Sequence, residues 1–153
     1  IKSELKKKPH LKIASNLLLR TSPQFLKLSN MIKNKKFGKI YMISGEYNYG
    51  RLSKIIKGWR GKMKNYSVTH GGAIHIIDLV ISFIKKKPKL VSAMGNNIST
   101  KGTIFKNNDG TNSNIKFENN LIFNITSFQC SFLVRYRLKL LTTPCNCNQI
   151  VLQ

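Results

Sequence analysis

The chain has 153 residues, enough for one domain with a sizeable core. It carries 27 Lys plus Arg against 5 Asp plus Glu, a formal net charge of +22, and such an excess points first to a polyanion partner such as nucleic acid. The lysines are scattered, however, and no arginine-rich helix or RNA-binding aromatic signature accompanies them. The abundance of Lys, Asn, Ile, Leu and Phe is also what A+T-rich codons encode, so no specific nucleic-acid partner is expected.

The chain starts at Ile1 rather than Met, which suggests a piece of a longer protein, and its basic first residues carry no secretory apolar run. The longest apolar stretch, residues 74–84, is interrupted by His75 and Asp78. It falls short of the ~20 residues a membrane span takes, so a soluble chain with no membrane contact is expected. Three cysteines, Cys130, Cys145 and Cys147, form an odd set without a signal peptide, which argues for a reducing, cytoplasmic setting. Cys145 and Cys147 are too close for a zinc knuckle and lack a second ligand pair, so no metal is expected.

Along the chain, Lys6-Lys7-Lys8-Pro9 and Lys85-Lys86-Lys87-Pro88 repeat one word, each followed by an apolar run, residues 11–19 and 90–94. Lysines suit the last turn of a helix and proline cannot continue it, so both words predict a helix end leading into a strand. Ser22 is placed to cap a helix beginning at Pro23, with Phe25, Leu28, Met31 and Ile32 on its apolar face to about residue 35. Residues 39–49 alternate, with Tyr41, Ile43, Gly45, Tyr47 and Tyr49 on one face, and predict a strand with an aromatic side. A polar loop over 50–69 holds Trp59 and Arg60. A helix over 72–85 and a strand over 89–95 follow. Asn107-Asn108-Asp109-Gly110 is turn chemistry. Residues 113–118 and 121–128 read as a hairpin closed by Asn119-Asn120. This order predicts an α/β or α+β domain. The preferred form is α+β, a largely antiparallel open sheet covered by helices.

The helix over 72–85 is apolar nearly all round, yet His75, Asp78 and Ser82 share one face behind the glycine pair Gly71-Gly72. A metal site from His70, His75 and Asp78 is disfavoured, because His70 and His75 are five apart, off one α-helical face.

The words SNLLLRTSPQF (15–25), FGKIYMISGEYNYGR (37–51), GWR (58–60), GGAIHIIDL (71–79) and VSAMGNNIST (91–100) stand in an order and spacing that resembles the Gfo/Idh/MocA oxidoreductases. The resemblance covers the end of the cofactor domain and most of the substrate domain. It implies hydride transfer between NAD or NADP and a sugar, polyol or related carbinol, with the cofactor bound mainly by a dinucleotide-binding domain ahead of Ile1. No Gly-x-Gly-x-x-Gly occurs in this sequence, and the resemblance makes residues 11–18 a late strand of that Rossmann sheet. It implies that residues 1–20 are a remnant of the cofactor domain and 21–130 the substrate and oligomerisation domain, a homo-oligomer in the full-length protein. The fragment alone would be inactive.

The resemblance also assigns roles. His75 takes the place of a histidine that points into the substrate pocket. It is the expected catalytic proton acceptor and donor, since an imidazole with a pKa near ~6.5 can take the carbinol proton at neutral pH. Asp78 would orient that ring or bond the substrate, and the glycines would let backbone and ligand approach closely. Tyr47, Trp59 and Arg60 would line the substrate cleft, and Arg20 would lie at the cofactor. Against these stand plainer roles: sheet packing for Tyr47, core anchoring for Trp59, and a helix-dipole contact for Asp78. Many members have an aspartate four residues before this histidine, where this chain has Gly71. Two other classes of function stay open, a basic nucleic-acid-binding module and a non-enzymatic interaction domain. From about residue 131 the resemblance fades, which predicts a divergent tail over 131–153, with a shifted reading frame or a premature junction near Cys130.

Overall fold

The computed structural model describes residues 2–12, 14, 17–129, 135–143 and 146–152. The strand β1, Lys39–Tyr49, organises the fold. Alternation puts Ile43, Gly45, Tyr47 and Tyr49 on one buried face and leaves Met42, Ser44, Glu46 and Asn48 half-buried on the other. Tyr41, expected with the buried set, is 42% exposed at the strand's outer end.

Five further strands are described: β2 (Pro88–Asn96), β3 (Gly110–Phe117), β4 (Ile122–Gln129), β5 (Arg135–Thr143) and β6 (Asn146–Leu152). Among the described residues they form one six-stranded sheet in the order β2-β3-β4-β1-β5-β6. Only the β1–β4 pair is parallel, with Ile43 beside Phe123; the other pairs are antiparallel. The fold class is therefore α+β with a mixed, mainly antiparallel open sheet. Asn120, at φ 62, closes the β3–β4 hairpin as the turn residues predict.

Helices lie on the face that carries Ile43. The helix α1 (Lys2–Lys7) is short and outlying, and its lysines end it as expected. A 3₁₀ turn, Leu18–Thr21, leads into α2 (Pro23–Lys33), which buries Phe25 and Leu28. Ser22 has the extended backbone of a cap, but its hydroxyl makes no capping hydrogen bond; Pro23 at the first helical position carries the start instead. The loop expected over 50–69 contains α3 (Leu52–Ile56), which buries Ile55, and a 3₁₀ turn, Trp59–Lys62. The helix α4, Ile74–Ile84, buries Ile76, Leu79 and Val80. It settles on the sheet centre where Gly45 has no side chain, since a Cβ there would come within 2.9 Å of Ile76 and 3.0 Å of Phe123. Lys85 in the left-handed conformation ends α4, and Pro88 opens β2, as the second KKKP word predicts.

Two expectations are corrected. Leu11, Lys12, Ala14 and Leu17 form no strand, and Leu18 begins a 3₁₀ turn. An extended segment needs a neighbour to pair with, and the sheet described here runs from β2 to β6 without offering it one. The tail expected to leave the fold near residue 131 instead returns to its sheet at residue 135. β5 pairs with β1 along its length, and its alternation sends Leu138 and Leu140 into the core at 2% and 0% exposure. β6 continues the same sheet. The amphipathic alternation of residues 135–141 belongs to an ordered strand. Cys130 and Cys145 lie outside the described residues.

Candidate active site

The site is built around the start of α4. Thr69–Ala73 is a π-helical turn, closed by the Ile74 amide donating back to the Thr69 carbonyl. One residue more than an α-turn is wound in here, a feature common at functional sites. The turn is pinned to the sheet by Thr69 Oγ1 and Thr111 Oγ1, 2.8 Å apart.

His75 sits in the first turn of α4, half-buried. Its Nδ1 is buried, with no hydrogen-bond partner among the described residues. Asp78, one turn on, does not orient it. Both Asp78 oxygens accept from Arg20, from Nε and Nη2 at 2.5 Å each. This forked pair ties the 3₁₀ turn before α2 onto α4 and raises the guanidinium pKa above its ordinary value. The Asp78 side chain is 13% exposed and that of Arg20 50%, so the arginine remains open on its outer side. Ser82 completes the stripe by donating to the Leu79 carbonyl within the helix, at 2.6 Å. The structure thus brings Arg20, His75 and Asp78 together.

Tyr47 is elsewhere. It is 3% exposed under the π turn, packed at 5.0 Å from the Tyr136 ring and 6.0 Å from Tyr49. Burial first, then a hydrogen bond and charge coupling with Tyr136, push its phenol pKa far up. A Cβ at Gly72 would overlap this ring. The glycine therefore admits a tyrosine of the same chain, where the sequence suggested a ligand. Tyr47 is packed against the other tyrosine rings of the sheet. Trp59 is 63% exposed and anchors no core; its ring carries the Arg60 guanidinium at 4.5 Å. The Arg60 charge also acts on Tyr66, holding down a phenol pKa that burial raises.

Tyr66 is the residue that sequence reasoning missed. Its ring meets Phe105 edge-on at 6.4 Å, and a Cβ at Gly71 would fall on its hydroxyl. The glycine pair was the available signal: two adjacent missing side chains make room for two bulky groups. Beside Tyr66 opens a polar cavity of about 440 Å³ lined by Lys64, Ser67, His70, Lys106 and Asn107 among others. Ser67 Oγ lies 3.0 Å from His70 Nδ1 and fixes that ring at the cavity wall. Among the described residues, no helix is long and apolar enough to cross a membrane, and no three His, Cys, Asp or Glu side chains cluster as metal ligands would.

An α+β substrate-type domain of this order has known counterparts. The family profile for the GFO/IDH/MocA C-terminal domain matches residues 25–143, running through β5 and past Cys130. The chain belongs to the GFO/IDH/MocA family. A sequence search of curated proteins finds no match. Among solved structures it is similar to myo-inositol 2-dehydrogenase from Lactobacillus plantarum, at TM-score 0.80 and 15% identity, over 97% of this chain and 44% of that one. It is similar also to scyllo-inositol dehydrogenase from Lactobacillus casei, solved with bound NAD(H) and scyllo-inositol, at TM-score 0.76 and 14% identity over 97% and 44% of the two chains. A third is UDP-N-acetylglucosamine 3-dehydrogenase from Acidithiobacillus ferrooxidans, at 0.63 and 16% over 92% and 41%. At these identities the likeness is one of fold. The chain spans less than half the length of each.

Proposed function

We propose that this chain is the substrate half of an oxidoreductase that moves a hydride between NAD or NADP and a carbinol of a sugar, polyol or related compound, with His75 as the proton acceptor and donor. The observation that carries the reading is the His75 ring. It stands in the first turn of α4 with a buried nitrogen that finds no partner among the described residues, and a buried polar atom left unpaired is costly unless a ligand uses it. When bound, a nicotinamide supplies the hydride acceptor. His75 receives the hydroxyl proton on a ring nitrogen, the general-base role an imidazole fills. Arg20, fixed by Asp78 and exposed on its other side, faces the cofactor half, of which residues 1–20 are the end. Arg60 and Trp59 form the rim of the substrate cleft. The sheet face that carries no helix is the surface through which the full-length protein assembles as a homo-oligomer, in the cytoplasm.

The test is turnover by the polypeptide that joins this chain to its dinucleotide-binding half, followed as NAD or NADP reduction with a panel of inositols and sugars. His75→Ala should lower kcat by about 10²- to 10⁴-fold. An unchanged kcat would remove His75 from the chemistry.

A further inference from the structure

We propose that the Tyr66 hydroxyl is a second substrate contact, donating a hydrogen bond to the same carbinol oxygen whose proton His75 accepts. This deepens the reading of His75 above and rests on it. Gly71 precedes His75 by four residues, one helical turn to within a fraction at either α or π pitch, so the two positions share a face. A side chain at 71 would project from that face beside the imidazole. The position has none, and the Tyr66 hydroxyl fills the place its Cβ would take. Residues so spaced on a helix stand about 5–6 Å apart at Cβ. The phenol oxygen therefore stands on the same helix face as the imidazole, one turn before it.

Three further contacts make Tyr66 a built element of the site. Phe105, at 1% exposure, sets the ring plane from its edge. The Arg60 guanidinium lies on the phenol side of the ring, where its charge opposes the rise in the Tyr66 pKa. Partial burial raises the Tyr66 pKa, with Tyr49 adding to the rise and Arg60 opposing it, so the group is a protonated donor at neutral pH. The ring also borders the polar cavity of about 440 Å³, which has room for the remainder of a polyhydroxylated molecule. From Gly71 to Asp78 the stripe of Tyr66, His75 and the Arg20–Asp78 pair runs about 10 Å along the helix. In the oxidation, the carbinol C–H bond breaks with its electron pair leaving to an oxidised nicotinamide. The O–H proton passes to His75, the C=O bond forms, and Tyr66 keeps its own proton while bonding the oxygen.

The test uses this chain with labelled tyrosine and histidine rings, titrated with myo-inositol and followed by NMR. Saturable shifts of both the His75 and Tyr66 rings are expected. Tyr66→Phe retains the ring against Phe105 and removes only the hydroxyl. It should weaken binding at least tenfold while His75 still shifts at saturation, with the remaining amide spectrum unchanged. Binding as tight as wild type in Tyr66→Phe, with His75 still responding, overturns the Tyr66 contact and leaves the His75 reading standing. A His75 ring that no inositol or sugar moves, in either protein, overturns both.

Discussion

The two faces of the sheet are made by the same strands and held by different forces. On the helix-covered face, Ile43, Phe123 and Leu140 are each at 0% exposure and lie side by side across three strands. One residue along, on the bare face, Asn124 Nδ2 donates to Asn114 at 2.9 Å and Asn112 at 3.2 Å, and Asn112 Nδ2 donates to Thr126 at 3.1 Å. The first face gains from removing apolar area from water, roughly 1.5–3 kcal/mol per large side chain. The second trades hydrogen bonds to water for hydrogen bonds to itself, a net of about 1 kcal/mol each. A period of two thus divides each strand into a side that holds the domain together and a side free to serve as a surface.

The contrast is open to test by urea denaturation. Phe123→Ala should cost about 3–5 kcal/mol, because the strands around it cannot close the hole. Gly72→Ala should follow at about 1–3 kcal/mol, since the new methyl drives into the buried Tyr47 ring and the covered face has no slack. The third effect is one of pH. Tyr47 and Tyr66 have pKa values raised above the ordinary tyrosine value, burial being the main cause. The stability this represents is whole below pH ~10 and declines above it, because the unfolded chain then holds fewer protons than the folded one. The loss should approach about 1.4 kcal/mol per pH unit for each tyrosine. Tyr47→Phe should flatten the slope. Asn124→Ala, on the bare face, should cost about 1 kcal/mol. Met94→Ser on β2, where the side chain is 77% exposed, should stay within about 0.5 kcal/mol. A bare-face change as costly as Phe123→Ala would erase the distinction.

What the sequence disclosed follows the same division. The period of β1, the caps and length of α4 and the Asn119-Asn120 turn are local properties, and each stands where its residues put it. Leu11, Lys12, Ala14 and Leu17 misled because an apolar run is only a strand in the presence of a partner. The β5 region misled in the other direction, since basic and apolar residues alternating past the recognisable words are an ordered strand beside β1. In the site, the shared face of His75 and Asp78 was legible from spacing. That Asp78 bonds Arg20, 58 residues away, was not, for no local signal encodes a contact of that separation. Tyr66 was hidden for the same reason: the glycine that it covers was visible, and the group covering it was not.

The position of β1 has a consequence for how the chain is made. Its partners are β4 and β5, and the nearer of them, β4, pairs at a constant separation of 80 residues, as in Met42 opposite Ile122. During synthesis the central strand is therefore finished well before either neighbour exists, with Ile43, Tyr47 and Tyr49 uncovered. Contacts of such separation are slow to form, and at about 5–20 residues per second of synthesis the wait lasts several seconds. The alternation that makes β1 the centre of the finished sheet also makes it the longest-exposed sticky edge of the nascent one, a natural point for a chaperone to hold.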